Sequence, residues 1–290
     1  MPNIREVVHR INSVTATQQI TKAMKMVAAA KMNKIQRRVQ HLRVYAANLS
    51  AILAQVTQAL EQPLAHDYAQ ERPIKKLLLV VMASDKGLCG SFNNQVFKAV
   101  TGHAHSWGTK SSAQIDLLVI GKKALSYFKK RHHQLITTYT DLTSQLSFEP
   151  ASQAAAFVMD TFANHTYDRV ELVYNNFISV ATQAVQIEQF LPIVLPPAQA
   201  HSHPLNHIFE PSKTALAEAL ALRSLKIQFY KALLASYAAE QGARLTTMGK
   251  ATDNAEELLK SLRITYNRSR QAAVTNEIAE IVAGAEALAV

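Results

Sequence analysis

The chain opens with a long run of apolar residues that recur alternately three and four positions apart. Between Pro2 and Pro63 there is neither proline nor glycine, and Asn3 with Glu6 three residues later resembles a capping box. From Ile4 to Leu60 the pattern visits seventeen positions, of which fourteen are apolar. A period of 3.5 held over this length is typical of a coiled-coil seam. The sequence therefore predicts one coiled-coil helix over residues 1–62.

The last third of the chain repeats this behaviour. After EPSKT (210–214) there is no further proline, and an apolar seam runs to the end of the chain. From Leu262 the seam steps by fours through Tyr266 and Arg270 to Val274, which predicts a stutter in the supercoil. We expect a second coiled-coil helix over 210–290, paired antiparallel with the first.

The middle of the chain has a different period. Short apolar runs typical of buried strands alternate with segments of helical pattern, and the last run alternates apolar and polar residues like an edge strand. The predicted strands cover 75–84, 115–121, 134–142, 169–177 and 182–193, with a helix at 151–167. This order indicates a Rossmann-like α/β domain over 74–195, mostly parallel and closed by a hairpin. The predicted fold class is α/β, with this domain inserted between the two halves of a long antiparallel coiled coil.

Charge is distributed unevenly. The formal net charge is +10, yet from Val7 to Leu60 there is not one Asp or Glu among many basic residues. A solvated helix normally mixes both signs, so an acidic partner surface is favoured. A basic coiled coil that binds the phosphates of nucleic acid is the alternative, although Tyr45 is the only aromatic residue on this helix.

Three consecutive seam positions are polar. They are Gln18, Thr21 and Lys25, and we expect Gln241 and Arg244 of the second helix to face them as a polar register mark. The far end of that helix, NEIAEIVAGAEALAV (276–290), is too apolar to stand freely in water. It suggests a tip that inserts into an apolar sleeve supplied by other chains.

Candidate chemistry is sparse. SDKGLCGSFNN (84–94) follows the first strand, where α/β proteins bind phosphates, but it is neither a P-loop nor G-x-G-x-x-G. We interpret it as a tight turn that needs glycine dihedrals at Gly87 and Gly90, with Cys89 buried. The connector holds three histidines that we expect in a solvated linker rather than a metal site: His201, His203 and His207. We predict no catalytic residue, cofactor or metal.

Composition places the chain in a reducing compartment. One cysteine excludes an internal disulfide and a cysteine-clustered zinc site. No stretch approaches the roughly 18 apolar residues of a membrane span, and MPNIREVVHR lacks a signal-peptide pattern. We expect a cytoplasmic protein.

Four motifs resemble one family. ITKAMKMVAAAKM (20–32), SDKGLCG (84–90), ATDNAEELL (251–259) and YNRSRQAAVTNEIAEIVAGAEAL (266–288) are similar to the γ subunit of F-type ATP synthase of bacterial type. The resemblance implies a non-catalytic central rotor shaft that couples ion flow to conformational cycling of the catalytic β subunits. Its implied partners are the α and β subunits of an α3β3 hexamer, the ε subunit and the c-subunit ring, with δ, a and b in the same complex. It implies no nucleic acid, and a peripheral position on the cytoplasmic face of the bacterial inner membrane through the complex alone.

The resemblance also implies coupling residues. By this resemblance, Met24 of the ITKAM motif would lie near an acidic lever of β, with Lys22 and Lys25 beside it. The remaining positions that match coupling residues of the family are Arg244, Arg270, Gln271, Thr275 and Glu277.

Overall fold

The computed structural model describes residues 3–58, 67–111, 113–131, 134–140, 142–143, 146–180, 182–193, 210 and 212–288. The chain forms two compact units. One consists of Met1–Ala28 with Leu245–Val290, and the other of Ala29–Arg244. The units group residues by packing, so each terminal helix contributes to both. The division of the chain into segments 1–62, 74–195 and 210–290 therefore stays a prediction.

The helices and strands follow the predicted order. In chain order they are α1 (Ile4–Gln58), a 3-10 turn (Asp67–Ala69), β1 (Lys76–Met82), α2 (Phe92–Ser111), β2 (Gln114–Ile120), α3 (Lys122–Lys129), β3 (Leu135–Tyr139), α4 (Phe148–Ala163), β4 (Arg169–Phe177), β5 (Gln183–Leu191) and α5 (Lys213–Leu288). All five predicted strands are present, and the fourth has the predicted bounds. The mixed α/β fold with long terminal helices is confirmed.

The sheet lies in the larger unit with strand order β3-β2-β1-β4-β5. The first four strands are parallel, and β5 runs antiparallel to β4 as the predicted closing hairpin. The central strand β1 is buried on both faces: Leu78 and Val80 pack with α4 and α5, and Leu77 and Leu79 pack with α2 and α3. A strand covered on both sides has no solvent face, which explains its continuous apolar sequence.

The terminal helices pair antiparallel within each unit. In the larger unit, Ile35 of α1 packs with Leu234 and Ala238 of α5, and Arg223 Nε donates to Tyr45 Oη at 2.8 Å. In the smaller unit, Thr252 Oγ1 donates to Thr21 Oγ1 at 3.0 Å, and the Lys25 stem lies against Gly249. These contacts confirm the predicted antiparallel pairing inside both units.

The register of the C-terminal seam differs from the prediction. Leu258 is exposed while its neighbour Leu259 is buried, and Ser269 rather than Arg270 faces inward. The inward positions then follow regular steps of four and three through Ala255, Leu259, Leu262, Tyr266 and Ser269. The predicted stutter after Leu262 is therefore wrong. Two adjacent leucines look alike in sequence, and only packing against α1 decides which one is buried.

Some sequence features fall outside the described residues. These are the connector histidines His201, His203 and His207, together with the last predicted position of the N-terminal seam, Leu60. Among the helices that the structure does describe, none is both long and apolar enough to cross a membrane.

Candidate functional site

The polar interruption of the N-terminal seam has short partners on α5. Thr21 meets Thr252, and Lys25 lies against Gly249, where an added Cβ would be 3.7 Å from both Cε and Nζ of the lysine. A glycine opposite a lysine leaves room for the aliphatic stem, while the exposed ammonium group stays in water. The expectation that Gln241 and Arg244 would face this interruption is wrong, because Gly249 and Thr252 do so, and they lie five or more positions further along α5.

The predicted coupling residues of α1 lie on or near the surface. Lys22 and Lys25 are exposed, and Met24 is half-buried between them. An apolar side chain flanked by two cations can contact a surface that is partly apolar and partly acidic. Whether these residues contact another subunit stays a prediction.

The predicted coupling residues near the end of α5 are exposed. Arg270, Gln271, Thr275 and Glu277 all face solvent, and Thr275 Oγ1 donates to the Gln271 carbonyl at 2.9 Å. That bond lies within the helix, so it leaves the outward face of the helix open for other contacts. Their role also stays a prediction.

The end of α5 exposes large apolar side chains. Val274, Ile278, Ile281 and Val282 are between 48% and 70% accessible. The register set by Thr21 and Lys25 carries this part of α5 past the first described turn of α1. The segment therefore has an apolar surface that α1 does not cover.

Arg244 takes an internal position that the sequence did not suggest. It is only 9% exposed, and its guanidinium forms an ion pair with Glu240 one turn earlier, with 2.7 Å between Nη2 and Oε1. The same nitrogen donates to the carbonyl oxygens of Lys86 and Gly87, each at 3.2 Å. Arg244 thus fastens the loop after β1 to α5. A direct contact with another subunit stays a prediction for this residue.

Side chains at both ends of the loop after β1 fix its course. Ser84 Oγ donates to the Lys86 carbonyl at 2.8 Å, and Asn93 Nδ2 donates to Ser84 Oγ at 2.8 Å. Ser84 N in turn donates to Asn93 Oδ1 at 3.1 Å. The buried Ser84 therefore ties the end of β1 to the first turn of α2.

The backbone of this loop is left-handed at two positions. Gly90 has φ +59°, as expected for a glycine, but the other left-handed residue is Leu88, with φ +62°, and not Gly87. Leu88 consequently projects into solvent with 62% of its surface exposed, while Cys89 turns inward and is 2% exposed. The glycine prediction is correct for Gly90 and wrong for Gly87.

Burial shifts the pKa values of two side chains beneath the loop. It raises the pKa of the Glu240 carboxyl, even though Arg244 opposes the shift. Burial likewise raises the pKa of the Cys89 thiol, against the smaller effects of Ser84 and Arg244. A thiol held neutral is a poor nucleophile, so the geometry supports a packing role for Cys89.

Within the described ranges, no group of three or more His, Cys, Asp or Glu side chains could hold a metal ion.

Comparison with known proteins identifies the family. The family model described as ATP synthase matches residues 3–288. An ATP synthase gamma chain from Amoebophilus asiaticus is 60% identical over 288 residues, covering 99% of each chain. The chain belongs to the ATP synthase γ chain family. A second γ chain, from Cytophaga hutchinsonii, is 47% identical over 293 residues, again covering 99% of each.

Solved structures agree with the γ chain fold. The central stalk and c-ring structure of Tetrahymena thermophila mitochondrial ATP synthase contains a chain that matches with a TM-score of 0.59 and 29% identity, covering 80% of this chain and 99% of that one. A chain in the OSCP/F1/c-ring structure of the Euglena gracilis enzyme matches with a TM-score of 0.65 and 22% identity, covering 98% and 94%. The comparisons support the resemblance inferred from the motifs and give no support to a nucleic-acid-binding protein.

Proposed function

We propose that this γ chain is the central rotor shaft of a bacterial F1Fo ATP synthase and is itself non-catalytic. In this role it couples ion flow through the membrane sector to the conformational cycling of the β subunits, which carry the active sites. The exposed apolar end of α5 carries the proposal. An apolar helix end that its own chain leaves uncovered suits a shaft whose tip turns inside a sleeve of other subunits.

The charge of α1 supports a partner of opposite sign. The helix has no acidic residue after Glu6, and its basic side chains are exposed along its length. A rotor meets several equivalent partners in turn, so each contact has to be modest and reversible. Exposed charge pairs satisfy this condition, because they are individually worth about 0–1 kcal/mol.

The proposed partners follow the family. They are the α and β subunits of the α3β3 hexamer, the ε subunit and the c-subunit ring, with δ, a and b elsewhere in the complex. The chain would reach the cytoplasmic face of the bacterial inner membrane only through this complex. We propose no cofactor, metal or nucleic acid.

The proposed coupling residues fall into three groups. Lys22, Met24 and Lys25 would contact an acidic lever on β. Arg270, Gln271, Thr275 and Glu277 would contact β nearer the tip. Arg244 would act through the loop after β1, because its own side chain is directed inward.

Reconstitution tests the proposal. The chain is tagged, co-expressed with the α and β subunits of its host and purified, and its ATP hydrolysis is compared with that of α and β prepared without it. We expect one copy of this chain for every three αβ pairs, and sustained hydrolysis only in its presence. A chain that elutes alone, or an α3β3 complex whose hydrolysis is unaffected by it, would refute the shaft function.

A further inference from the structure

A cavity of about 590 Å³ lies between the loop after β1 and the helices α2 and α3. Loop residues 87–90 form one wall, the first turns of α2 a second, and α3 with the residues after it the third. Its volume is within the range of small-molecule sites. The residues discussed above as coupling positions do not line it.

The charged side chains that line this cavity are all basic. Lys123, Lys130 and Arg131 contribute to its wall, and no Asp or Glu does. In the described part of the chain, none of these three cations lies within salt-bridge distance of a carboxylate. Their charge is therefore available to an anion from solvent.

The surrounding sequence reinforces this charge. Residues 86–140 contain eight Lys or Arg and a single acid, Asp116. That carboxylate is 4% exposed and accepts a hydrogen bond from Tyr167 Oη at 2.9 Å. That acid is thus engaged inside the sheet. Asp85, just before this stretch, is partly exposed and accepts a hydrogen bond from Lys122 N at 3.0 Å, so it offsets part of the positive charge near the cavity.

Two of the cations have close neighbours at the cavity. Lys123 is exposed, and its Cε would lie 3.6 Å from a Cβ added at Gly87, which is an ordinary van der Waals distance, so the lysine stem runs beside the loop. The Arg131 guanidinium lies 3.8 Å from the ring centroid of Tyr127, which in turn stacks on Phe97 with 4.3 Å between centroids. Cations positioned before binding lose less conformational entropy when an anion arrives.

The location suits a phosphate. The cavity lies beyond the carboxyl ends of β1 and β2, the edge of the sheet at which open α/β folds bind ligands, although the switch point of this sheet is between β1 and β4. Asn94 adds an amide group that can donate hydrogen bonds to phosphate oxygens, whereas the Ser126 hydroxyl already donates to the Lys123 carbonyl at 3.1 Å.

We propose that this cavity binds a phosphate-bearing anion, with Lys123 and Lys130 as its main charge partners. The phosphate belongs either to a soluble polyphosphate compound or to a phospholipid headgroup, two sources with the same chemistry. The inference does not depend on the shaft function.

Calorimetric titration of the purified full chain with sodium tripolyphosphate tests the proposal. The K123Q/K130Q variant should bind at least tenfold more weakly than the unmodified chain. The matched control is K98Q/K129Q, which removes the same charge from exposed positions outside the cavity and should change the Kd less than twofold. All these side chains are exposed, so far-UV circular dichroism melting should show the same fold in each protein.

A parallel flotation assay distinguishes the two sources. It uses phosphatidylcholine vesicles with and without one-fifth phosphatidic acid. Binding of tripolyphosphate that depends on Lys123 and Lys130 assigns the site to a soluble phosphate. Retention on the acidic vesicles alone, with the same dependence, assigns it to a lipid headgroup. Equal weakening in both double variants, or no saturable binding in either assay, would overturn the proposal.

Discussion

Replacing Arg244 by methionine should release the loop after β1 and open a path to Cys89. Methionine keeps most of the apolar contact but removes the ion pair with Glu240 and the two hydrogen bonds to the carbonyls of Lys86 and Gly87. The loop would then be held to the rest of the fold by the Ser84 and Asn93 side chains and by Asp85, whose carboxylate accepts hydrogen bonds from Lys122 N and Thr143 Oγ1.

The size of the effect follows from the buried partners that remain. A hydrogen bond to a charged group contributes about 1.5–3 kcal/mol, and an unpaired buried carboxylate adds to the loss. Glu240 can relieve part of that cost by taking up a proton, since burial already raises its pKa. We therefore expect the free energy of local opening to fall by about 2–3 kcal/mol, which is roughly a 30- to 150-fold increase in the open population.

Cys89 reports this opening directly. It is the only cysteine of the chain and lies buried beneath the loop, so its labelling by a disulfide reagent under native conditions tracks the open population. The rate, divided by that of the unfolded chain at the same pH, should rise about 100-fold in R244M. The control is R223M, in which an exposed arginine loses its hydrogen bond to Tyr45 and its contact with the face of that ring, and its rate should change less than threefold.

The pH dependence provides a second check. Without Arg244, nothing of comparable strength opposes the effect of burial on Glu240, so the pKa of this carboxyl rises further in the folded state. A folded-state pKa above the unfolded value means that stability falls as pH increases through that interval. The acceleration in R244M should therefore grow as pH is raised above the usual pKa of a glutamate, and adding E240Q should remove this pH dependence. Acceleration below threefold, or equal acceleration in R223M, would refute the interpretation of Arg244 as the anchor of the loop.

Three further predictions use the same chain. Gly121→Ala should lower the free energy of unfolding measured in urea by about 3 kcal/mol or more, because Gly121 has φ +101° and a Cβ there would lie 2.3 Å from a backbone oxygen. Gly102→Ala, in an open position of α2, should instead raise this free energy by up to about 1 kcal/mol. Equal effects of the two substitutions would contradict this account. Burial and a hydrogen-bonded carboxylate raise the pKa of Tyr174 far above its usual range, so the stability of the fold should decrease as pH rises above about 10. Tyr174→Phe should make this decrease smaller, and an unchanged pH profile would contradict the prediction. The double variant Ile278→Ser, Ile281→Ser should leave the melting temperature of the isolated chain unchanged, because both side chains are exposed. It should, however, lower the ATP hydrolysis of the reconstituted complex. Full activity would argue against a tip that needs an apolar sleeve.

Periodicity in the sequence was enough to predict the architecture. A 3.5-residue repeat identified both terminal helices, without proline or glycine in the first and without proline in the second, and five apolar runs identified the five strands. These signals succeed because burial of one face requires a fixed spacing of apolar residues, whatever the partner is. The same local rule explains the failure at Leu258. Two adjacent leucines satisfy almost the same spacing, and the choice between them depends on the helix across the interface.

For the candidate sites, the sequence predicted much less than the tertiary structure shows. The family resemblance marked Arg244 as a coupling residue, which stays a prediction, but only the structure shows that its side chain is directed inward. The sequence predicted glycine dihedrals at Gly87 and Gly90, whereas the structure gives the left-handed conformation to Leu88 and Gly90. Nor could the sequence bring Lys123 and Lys130 next to a loop some 40 positions earlier in the chain. Local spacing determines which residues are helical, extended or buried on one face, because those properties depend on near neighbours. Which charges meet, which loops are anchored and where a cavity forms depend on contacts between distant segments, and only the tertiary structure decided them.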